Sequence, residues 1–240
     1  GALPPRVDLA WASSPCQDFS LAGARAGLGG GRSSAFCGFW RLIEALGADG
    51  PRAVVIENVS GLLTSHGGAD FAALCRALAG QGYSFGALEI DAGRFVPQSR
   101  PRVFVIATRQ PPHPSLIGES PFQTRAVRDA YDRLPADLAA RWIWWGPDAP
   151  AVRNTDLASL LEPDADVAWH EAARTQRLLD LMAPLHRARI EAAKSSGARS
   201  VGAVFNRMRV ADGKKVQRSE VRFDGLAGCL RTPRGGSSHQ

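Results

Sequence analysis

Ala53-Val54-Val55-Ile56-Glu57-Asn58 is the stretch of sequence that decides the fold. Its first four residues are apolar and three of them are β-branched, which predicts a short strand buried on both faces. The apolar run ends abruptly at two polar residues, Glu57 and Asn58. Because the ligands of open α/β sheets bind beyond the carboxyl ends of strands, this ending marks a candidate site.

The segments on either side alternate between strand and helix patterns. Residues 7–12 form another short apolar run, and residues 83–90 and 102–108 predict two further strands. Two amphipathic helices are predicted, one before and one after residues 53–58, because the apolar residues of each recur on one helix face. These apolar residues are Phe36, Phe39, Trp40, Ile43 and Leu46 in the first helix and Phe71, Leu74, Cys75 and Leu78 in the second. Such alternation predicts an α/β fold whose parallel or mixed sheet is covered on both faces.

The pattern changes near residue 110, where we place a domain boundary. Between residues 110 and 168 prolines are frequent, and Trp142, Trp144 and Trp145 cluster. This predicts irregular structure around a small core of its own. We therefore divide the chain into a first domain, residues 1–110, and a linker with a second, smaller domain, residues 111–240.

The second region is predicted to contain a long helix and a hairpin. The helix spans about residues 169–194 and is bent or broken at Pro184. Two strand patterns, residues 201–210 and 216–223, flank the dipeptide Asp212-Gly213. An Asp-Gly pair between two such patterns is a strong β-hairpin signal.

Composition and cysteine spacing narrow the function classes. Hydrophobic residues make up 45% of the 240 residues, yet no apolar stretch is long enough for a membrane span, and no secretory signal stands at the start. The four cysteines form no closely spaced pair. We therefore expect neither a metal site nor a disulfide framework, and we place the protein in the reducing cytoplasm.

The positive charge is concentrated toward the carboxyl end. Residues 197–240 contain nine Lys or Arg and three Asp or Glu, a surplus that equals the formal net charge of the whole chain, +6. A polyanionic partner such as nucleic acid accounts for this cluster, and so does an ordinary solvated basic face. Charge alone leaves both interpretations open.

Three predicted strand ends carry groups that could do chemistry. They are Pro15-Cys16-Gln17, Glu57-Asn58-Val59 and Gln98-Ser99-Arg100-Pro101-Arg102. Taken singly, each has a plain structural interpretation: a cysteine after a strand is usually a small buried residue, a Glu-Asn pair caps a strand, and arginines in a turn are solvated.

Together the three segments resemble the Pro-Cys-Gln, Glu-Asn-Val and Gln-x-Arg-x-Arg motifs of the DNA cytosine-5 methyltransferases, in that family's order and spacing. Residues 231–238, Arg-Thr-Pro-Arg-Gly-Gly-Ser-Ser, resemble the later segment that supports the family's target-recognition domain. The resemblance covers residues 7–108 and, less closely, residues 197–240. It implies an α/β fold with the Rossmann-like mixed sheet of S-adenosylmethionine-dependent methyltransferases, its N-terminal part missing, and a smaller, basic target-recognition domain.

The resemblance assigns the chemistry to four residues. Cys16 would be the nucleophile that adds to C6 of cytosine, Glu57 would protonate or hydrogen-bond N3, and Arg102 would hold O2. Arg100 would hold a nearby phosphate or help to hold the base. The supporting positions are Pro15, Gln17, Asn58 and Gln98.

The resemblance also implies S-adenosylmethionine as the methyl donor and duplex DNA as the substrate, usually in bacterial restriction-modification. The catalytic groups cannot reach C6 in a stacked duplex, so the cytosine must be rotated out, and glycine-rich residues 18–32 would close over the DNA. Pro15 is the one residue assigned to the cofactor. The candidate DNA contacts are Arg207, Arg209, Lys214, Lys215, Arg218 and Arg231.

Two family segments have no counterpart in this sequence. The glycine-containing loop that binds S-adenosylmethionine should precede Cys16, and a further motif should follow the carboxyl end. We therefore expect residues 1–240 to be truncated at both ends or to be one part of a split enzyme, with a missing segment or a complementary chain supplying the loop. By itself the chain is expected to bind S-adenosylmethionine weakly or not at all, and stand-alone activity is not expected.

Two other interpretations remain open. A tRNA cytosine-5 methyltransferase of the same fold would share the first two motifs, but such relatives typically carry a Cys-Phe-Thr segment that this sequence lacks. The chain could also be a non-catalytic DNA-binding fragment. Retention of Cys16, Glu57, Arg100 and Arg102 argues against a module that lost its activity long ago.

Overall fold

The computed structural model describes residues 7–13, 35–211 and 213–230. The chain divides into two compact units, one within residues 1–90 and 101–149 and the other within residues 91–100 and 150–240. The functional division near residue 110 stays a prediction, because compactness does not show which unit does what.

The first unit is built on a four-stranded sheet. Its strands are β1 (Leu9–Ala12), β2 (Ala53–Asn58), β3 (Ser84–Asp91) and β4 (Pro101–Thr108). They lie in the order β1-β2-β4-β3, with β1 parallel and β4 antiparallel to β2. The sheet is therefore mixed, and the predicted α/β class and all four strands are confirmed to within two residues.

Two helices, α1 (Ala35–Leu46) and α2 (Ala69–Gly80), were both predicted from their apolar spacing and are confirmed. They cover one face of the sheet. Val54 and Ile56 of β2 alternate with residues of the opposite face and are fully buried in one core with Phe36 of α1 and Leu74 of α2. This packing fixes the register of β2, because a slip of one residue would turn its apolar side chains out of the core.

The prediction of a separate small core in residues 110–168 is wrong for the two helices of this region. Two short helices lie there, α3 (Arg125–Asp132) and α4 (Ala136–Ala139), and their buried residues join the same core as the sheet. Trp142 packs against that core. The prolines misled the prediction, since Pro135 directly precedes α4, where a missing backbone N–H costs little.

The opposite face of the sheet is only partly covered within the described residues. Leu9 and Trp11 of β1 are 53% and 54% exposed, although Val55 beside them is buried. Trp11 contacts the edge of Phe104, with ring centroids 6.0 Å apart. The prediction that both faces are buried is therefore confirmed for one face only.

The second unit carries helices α5 (Ala172–Asp180) and α6 (Pro184–Ser195) and a hairpin of β5 (Ala203–Ala211) and β6 (Lys214–Arg222). The predicted break at Pro184 is confirmed, since that residue begins α6. The hairpin is confirmed as well, with β5 and β6 paired antiparallel along their full length. The predicted helix start at Trp169 is wrong by three residues.

The turn between α5 and α6 packs against β6. Met182 is buried, and the Ser219 N–H donates to the Leu181 carbonyl at 3.2 Å. The Val221 N–H donates to Nδ1 of His186 at the same distance. These bonds tie one end of the hairpin to the helices.

The other regular elements in the described part of the chain are short 3-10 helices. They are Gly47–Asp49, Ser60–Leu63, Ser65–Gly68, Ala92–Arg94, Pro114–Leu116 and Ala158–Leu160. Among the described helices, none is long and apolar enough to cross a membrane.

Candidate active site

Glu57 and Arg102 meet where β2 ends and β4 begins. The antiparallel register sets Glu57 opposite Phe104, so Arg102, two residues earlier, is its diagonal neighbour on the same face. Glu57 Oε1 lies 3.4 Å from Arg102 Nε, and the two side chains are 21% and 19% exposed. Both groups are thus partly accessible, and a carboxylate and a guanidinium can both hydrogen-bond to a planar ligand.

Asn58 anchors the end of β2. It is buried at 4% exposure, and its Oδ1 accepts a hydrogen bond from the Val59 N–H at 2.9 Å. The chain then enters the 3-10 helix Ser60–Leu63, whose Leu62 and Leu63 are buried. The backbone on both sides of Glu57 is thus held, so the direction of its side chain is constrained.

Asp91 organises the segment that carries the third motif. Its Oδ1 accepts from the Arg100 N–H at 2.6 Å and from the Gly93 N–H at 3.0 Å. Its Oδ2 accepts from the Ser99 hydroxyl at 3.1 Å. One carboxylate therefore closes residues 91–100 into a loop. The sequence analysis missed Asp91, although its place at the end of a predicted strand is the same signal that marked Glu57.

A second set of hydrogen bonds connects this loop to the segment around Ala227. The Ala227 N–H donates to the Pro97 carbonyl at 2.8 Å, and the Ser99 N–H donates to the Ala227 carbonyl at 2.9 Å. Gln98 forms an isolated β-bridge with Ala227. Arg100 donates from Nη1 to the sulfur of Cys229 at 3.4 Å. Arg100 and Gln98 are therefore fixed within the second unit.

The structure thus brings together Glu57 and Arg102 in the first unit and holds Gln98 and Arg100 in the second. The motif crosses from one unit to the other between Arg100 and Pro101. The other predicted site residues, Pro15, Cys16, Gln17 and Arg231, lie outside the described residues, as does the glycine-rich segment 18–32.

The register of the hairpin divides the predicted DNA-contacting residues between its two faces. Arg207 lies opposite Arg218 and Ala211 opposite Lys214, so alternation puts Arg207, Arg209, Arg218 and Lys214 on one face. We call this the basic face of the hairpin. Lys215 pairs with Val210 and lies on the other face, which also holds Val221.

Comparison with known proteins identifies the family. The sequence model of the C-5 cytosine-specific DNA methylases matches residues 2–218, which is most of the chain. The chain belongs to this family. The resemblance carried by the three motifs is therefore confirmed.

Two curated relatives are named as type II methyltransferases. M.AgeI of Thalassovita gelatinovora is 29% identical over 199 residues, which cover 72% of this chain and 46% of the relative. M.AquIA of Picosynechococcus is 34% identical over 158 residues, which cover 55% of this chain and 62% of the relative. The chain therefore spans roughly half the length of these relatives.

Similarity to solved structures is lower. A DNMT2 variant of Spodoptera frugiperda is 23% identical, with 67% of this chain and 41% of that chain covered and a TM-score of 0.40. The S. pombe Dnmt2 methyltransferase is also 23% identical, with 44% and 30% covered and a TM-score of 0.34.

Proposed function

We propose that the chain carries the cytosine-binding and covalent-catalytic part of a DNA cytosine-5 methyltransferase. The contact between Glu57 and Arg102, at strand ends of a family member, is the observation that carries the proposal. A carboxyl group and a guanidinium side by side match the N3 and O2 atoms on one edge of a cytosine.

The reaction needs a nucleophile because C5 of cytosine is a poor carbon nucleophile in an aromatic ring. A thiolate of Cys16 adds to C6, which breaks the aromaticity and gives C5 the character of an enamine carbon. The negative charge that develops on the ring is met by a proton or hydrogen bond from Glu57 at N3. Arg102 stabilises the same charge at O2.

S-adenosylmethionine would supply the methyl group that C5 takes up. Pro15, the residue assigned to this donor, lies outside the described residues. After the transfer, the proton on C5 leaves to a base, the C5–C6 double bond re-forms, and the Cys16 thiolate is expelled. Glu57 also distinguishes cytosine from thymine, because its second oxygen accepts from the exocyclic amine that thymine lacks.

The target cytosine has to leave the duplex for this chemistry, at a cost of a few kcal/mol. Arg207, Arg209, Arg218 and Lys214 on the basic face are proposed to contact the DNA, and Arg231 remains a further candidate. Arginines and lysines on one exposed face suit phosphate contacts, which fix the position of a protein on DNA. Arg100 contributes to a phosphate or to the base.

The names of the relatives suggest a bacterial restriction-modification setting, which we propose for this chain as well. The tRNA alternative is tested by offering duplex DNA and tRNA side by side. Methyl transfer to tRNA alone would overturn the assignment of the substrate.

Covalent trapping tests the mechanism. With S-adenosylmethionine present, DNA that contains 5-fluorocytosine should become covalently bound to the complete enzyme, because fluorine at C5 cannot leave as a proton does. Cys16→Ser should abolish trapping, and Cys37→Ser, a matched change on α1, should leave it intact. Trapping that survives Cys16→Ser would place the nucleophile elsewhere.

A further inference from the structure

Like charges stand directly opposite each other on the basic face of the hairpin. Arg207 and Arg218 are cross-strand partners, and Arg209 and Lys214 extend the same face toward the turn. Like charges in direct opposition destabilise a strand pair. The arrangement is therefore costly unless a carboxylate or a polyanion compensates for it.

Glu220 is the acidic residue of this face in the described strands. Its side chain is only 11% exposed, and its Oε1 accepts from both Nε and Nη2 of Arg209 at 2.6 Å. Its Oε2 lies 4.0 Å from Nε of Arg207. Both arginine side chains remain about half exposed, at 53% for Arg207 and 52% for Arg209. One buried carboxylate thus faces two arginines that stay open to solvent.

Phe205 restrains the first of these arginines from another side. The guanidinium carbon of Arg207 lies 4.9 Å from the centre of the Phe205 ring, within the range of a cation-π contact. Glu220 is the cross-strand partner of Phe205, so the ring and the carboxylate are neighbours on the face. Arg207 is therefore held between an aromatic ring and a carboxylate.

Immobilised arginines lose less freedom when they bind. A free arginine side chain has many rotamers, and part of this conformational entropy is lost when it contacts a phosphate. Glu220 orders Arg209 through two of its nitrogens and leaves the other terminal nitrogen for a ligand. The same carboxylate lowers the net positive charge of the basic face. If Coulomb attraction alone decided binding, Glu220 would therefore weaken the binding of an anion.

We propose that Glu220 is a positioning residue that holds Arg207 and Arg209 in the orientation in which they bind the phosphodiester backbone of the DNA. The inference rests on the proposed function, since it takes DNA as the partner of the basic face. It makes the hairpin a pre-organised phosphate clamp rather than a diffuse positive surface. Positioning and simple attraction predict opposite effects when the Glu220 charge is removed.

Equilibrium binding of the full chain to a labelled, mixed-sequence DNA duplex separates the two. Glu220→Gln should weaken binding at least about threefold, although it removes a negative charge from the basic face. Glu191→Gln on α6 is the matched control, because it removes the same charge from an exposed carboxylate that pairs with Lys194. It should leave the affinity unchanged or slightly increased. Equal or tighter binding by Glu220→Gln, with an unchanged melting temperature, would overturn the proposal.

A mutant cycle shows whether Glu220 acts through the two arginines. In an Arg207→Gln/Arg209→Gln background, Glu220→Gln should have less than about a twofold further effect, because residues that act together are not additive. A full, additive loss would mean that the carboxylate merely supports the fold, and the proposal would fail. If Glu220→Gln unfolds the protein, Glu220→Asp replaces it with the same expected loss, since the shorter side chain withdraws the carboxylate from Arg209.

Failure of this inference is distinct from failure of the proposed function. Covalent trapping through Cys16 together with normal binding by Glu220→Gln would refute the phosphate clamp and leave the methyltransferase mechanism standing. The same conclusion would follow if the wild-type protein is trapped normally and its Arg207 and Arg209 variants bind DNA as tightly as the wild type.

Discussion

Glu57 Oε1 lies 3.4 Å from Arg102 Nε, although 45 positions separate the two residues in the sequence. The antiparallel pairing of β2 with β4 creates this proximity, because it sets the last residues of one strand beside the first residues of the other. Each side chain is about one fifth exposed, so each is partly accessible to a ligand. Two of the three sequence motifs thus meet at one edge of the sheet.

Glu57→Gln should slow methyl transfer by more than about tenfold, which corresponds to about 1.4 kcal/mol in the barrier. Glutamine keeps the shape and can still hydrogen-bond, but it cannot deliver a proton to N3 of the ring. The single-turnover rate at saturating DNA measures the effect without interference from binding. Asp132→Asn, an exposed substitution at the end of α3, serves as the control. A rate within twofold of the wild type would remove Glu57 from the chemistry.

Asp91→Ala should release the loop of residues 91–100, because it removes three hydrogen bonds, to Gly93, Ser99 and Arg100. Trypsin should then cleave after the exposed Arg94 at least about tenfold faster, since local opening exposes backbone to a protease. Methyl transfer should fall together with this loss of order. Asp132→Ala should change neither property. Unchanged cleavage at Arg94 would show that the other bonds of the loop, to Arg153, Asn154 and Ala227, hold it without Asp91.

Local pattern was enough to predict much of the fold. β2, α1 and α2 follow from apolar periodicity within each segment, and the hairpin follows from Asp212-Gly213 between two strand patterns. These features depend on neighbours in sequence, which is why they could be derived without knowledge of the tertiary contacts.

What the sequence could not give depends on distant partners. α3 and α4 are too short to show a clear period, and their burial is decided by the core against which they pack. Asp91 looks like an ordinary strand end until the loop folds back and presents the Arg100 N–H to it. The separation of Arg100 from Arg102 into different units likewise follows from contacts far along the chain, such as that with Cys229.

Arg218 and Lys215 test the assignment of the two hairpin faces. Both lie on β6 and carry one positive charge, but the register puts Arg218 on the basic face and Lys215 on the other. Arg218→Gln should weaken DNA binding and reduce the slope of log affinity against log salt by about one, as expected for the loss of one phosphate contact. Lys215→Gln should leave that slope unchanged. Equal effects of the two substitutions would contradict the separation of the faces.

Asp70 in the first turn of α2 should make stability depend on pH. Its Oδ2 lies 2.5 Å from the Ser65 hydroxyl oxygen and 2.8 Å from Nδ1 of His66, a residue with a left-handed φ of 48°. Burial acts to raise the pKa of Asp70, but the hydrogen bonds from Ser65 and His66 outweigh it, so the pKa lies below its ordinary value. The ionised carboxylate thus holds the sharp turn that begins the helix.

A lowered pKa in the folded state stabilises the protein above the pKa of the unfolded chain, and this stabilisation is lost as the pH falls through the folded value. Asp70→Asn should therefore cost about 1 kcal/mol in the free energy of unfolding at neutral pH. The difference from the wild type should shrink as the pH falls below about 4, the ordinary range of an aspartate. Urea unfolding at neutral and acidic pH measures this, with the exposed Asp129→Asn as the control. A difference that stays constant across this range would show that the side chain stabilises the turn by shape and not by its charge.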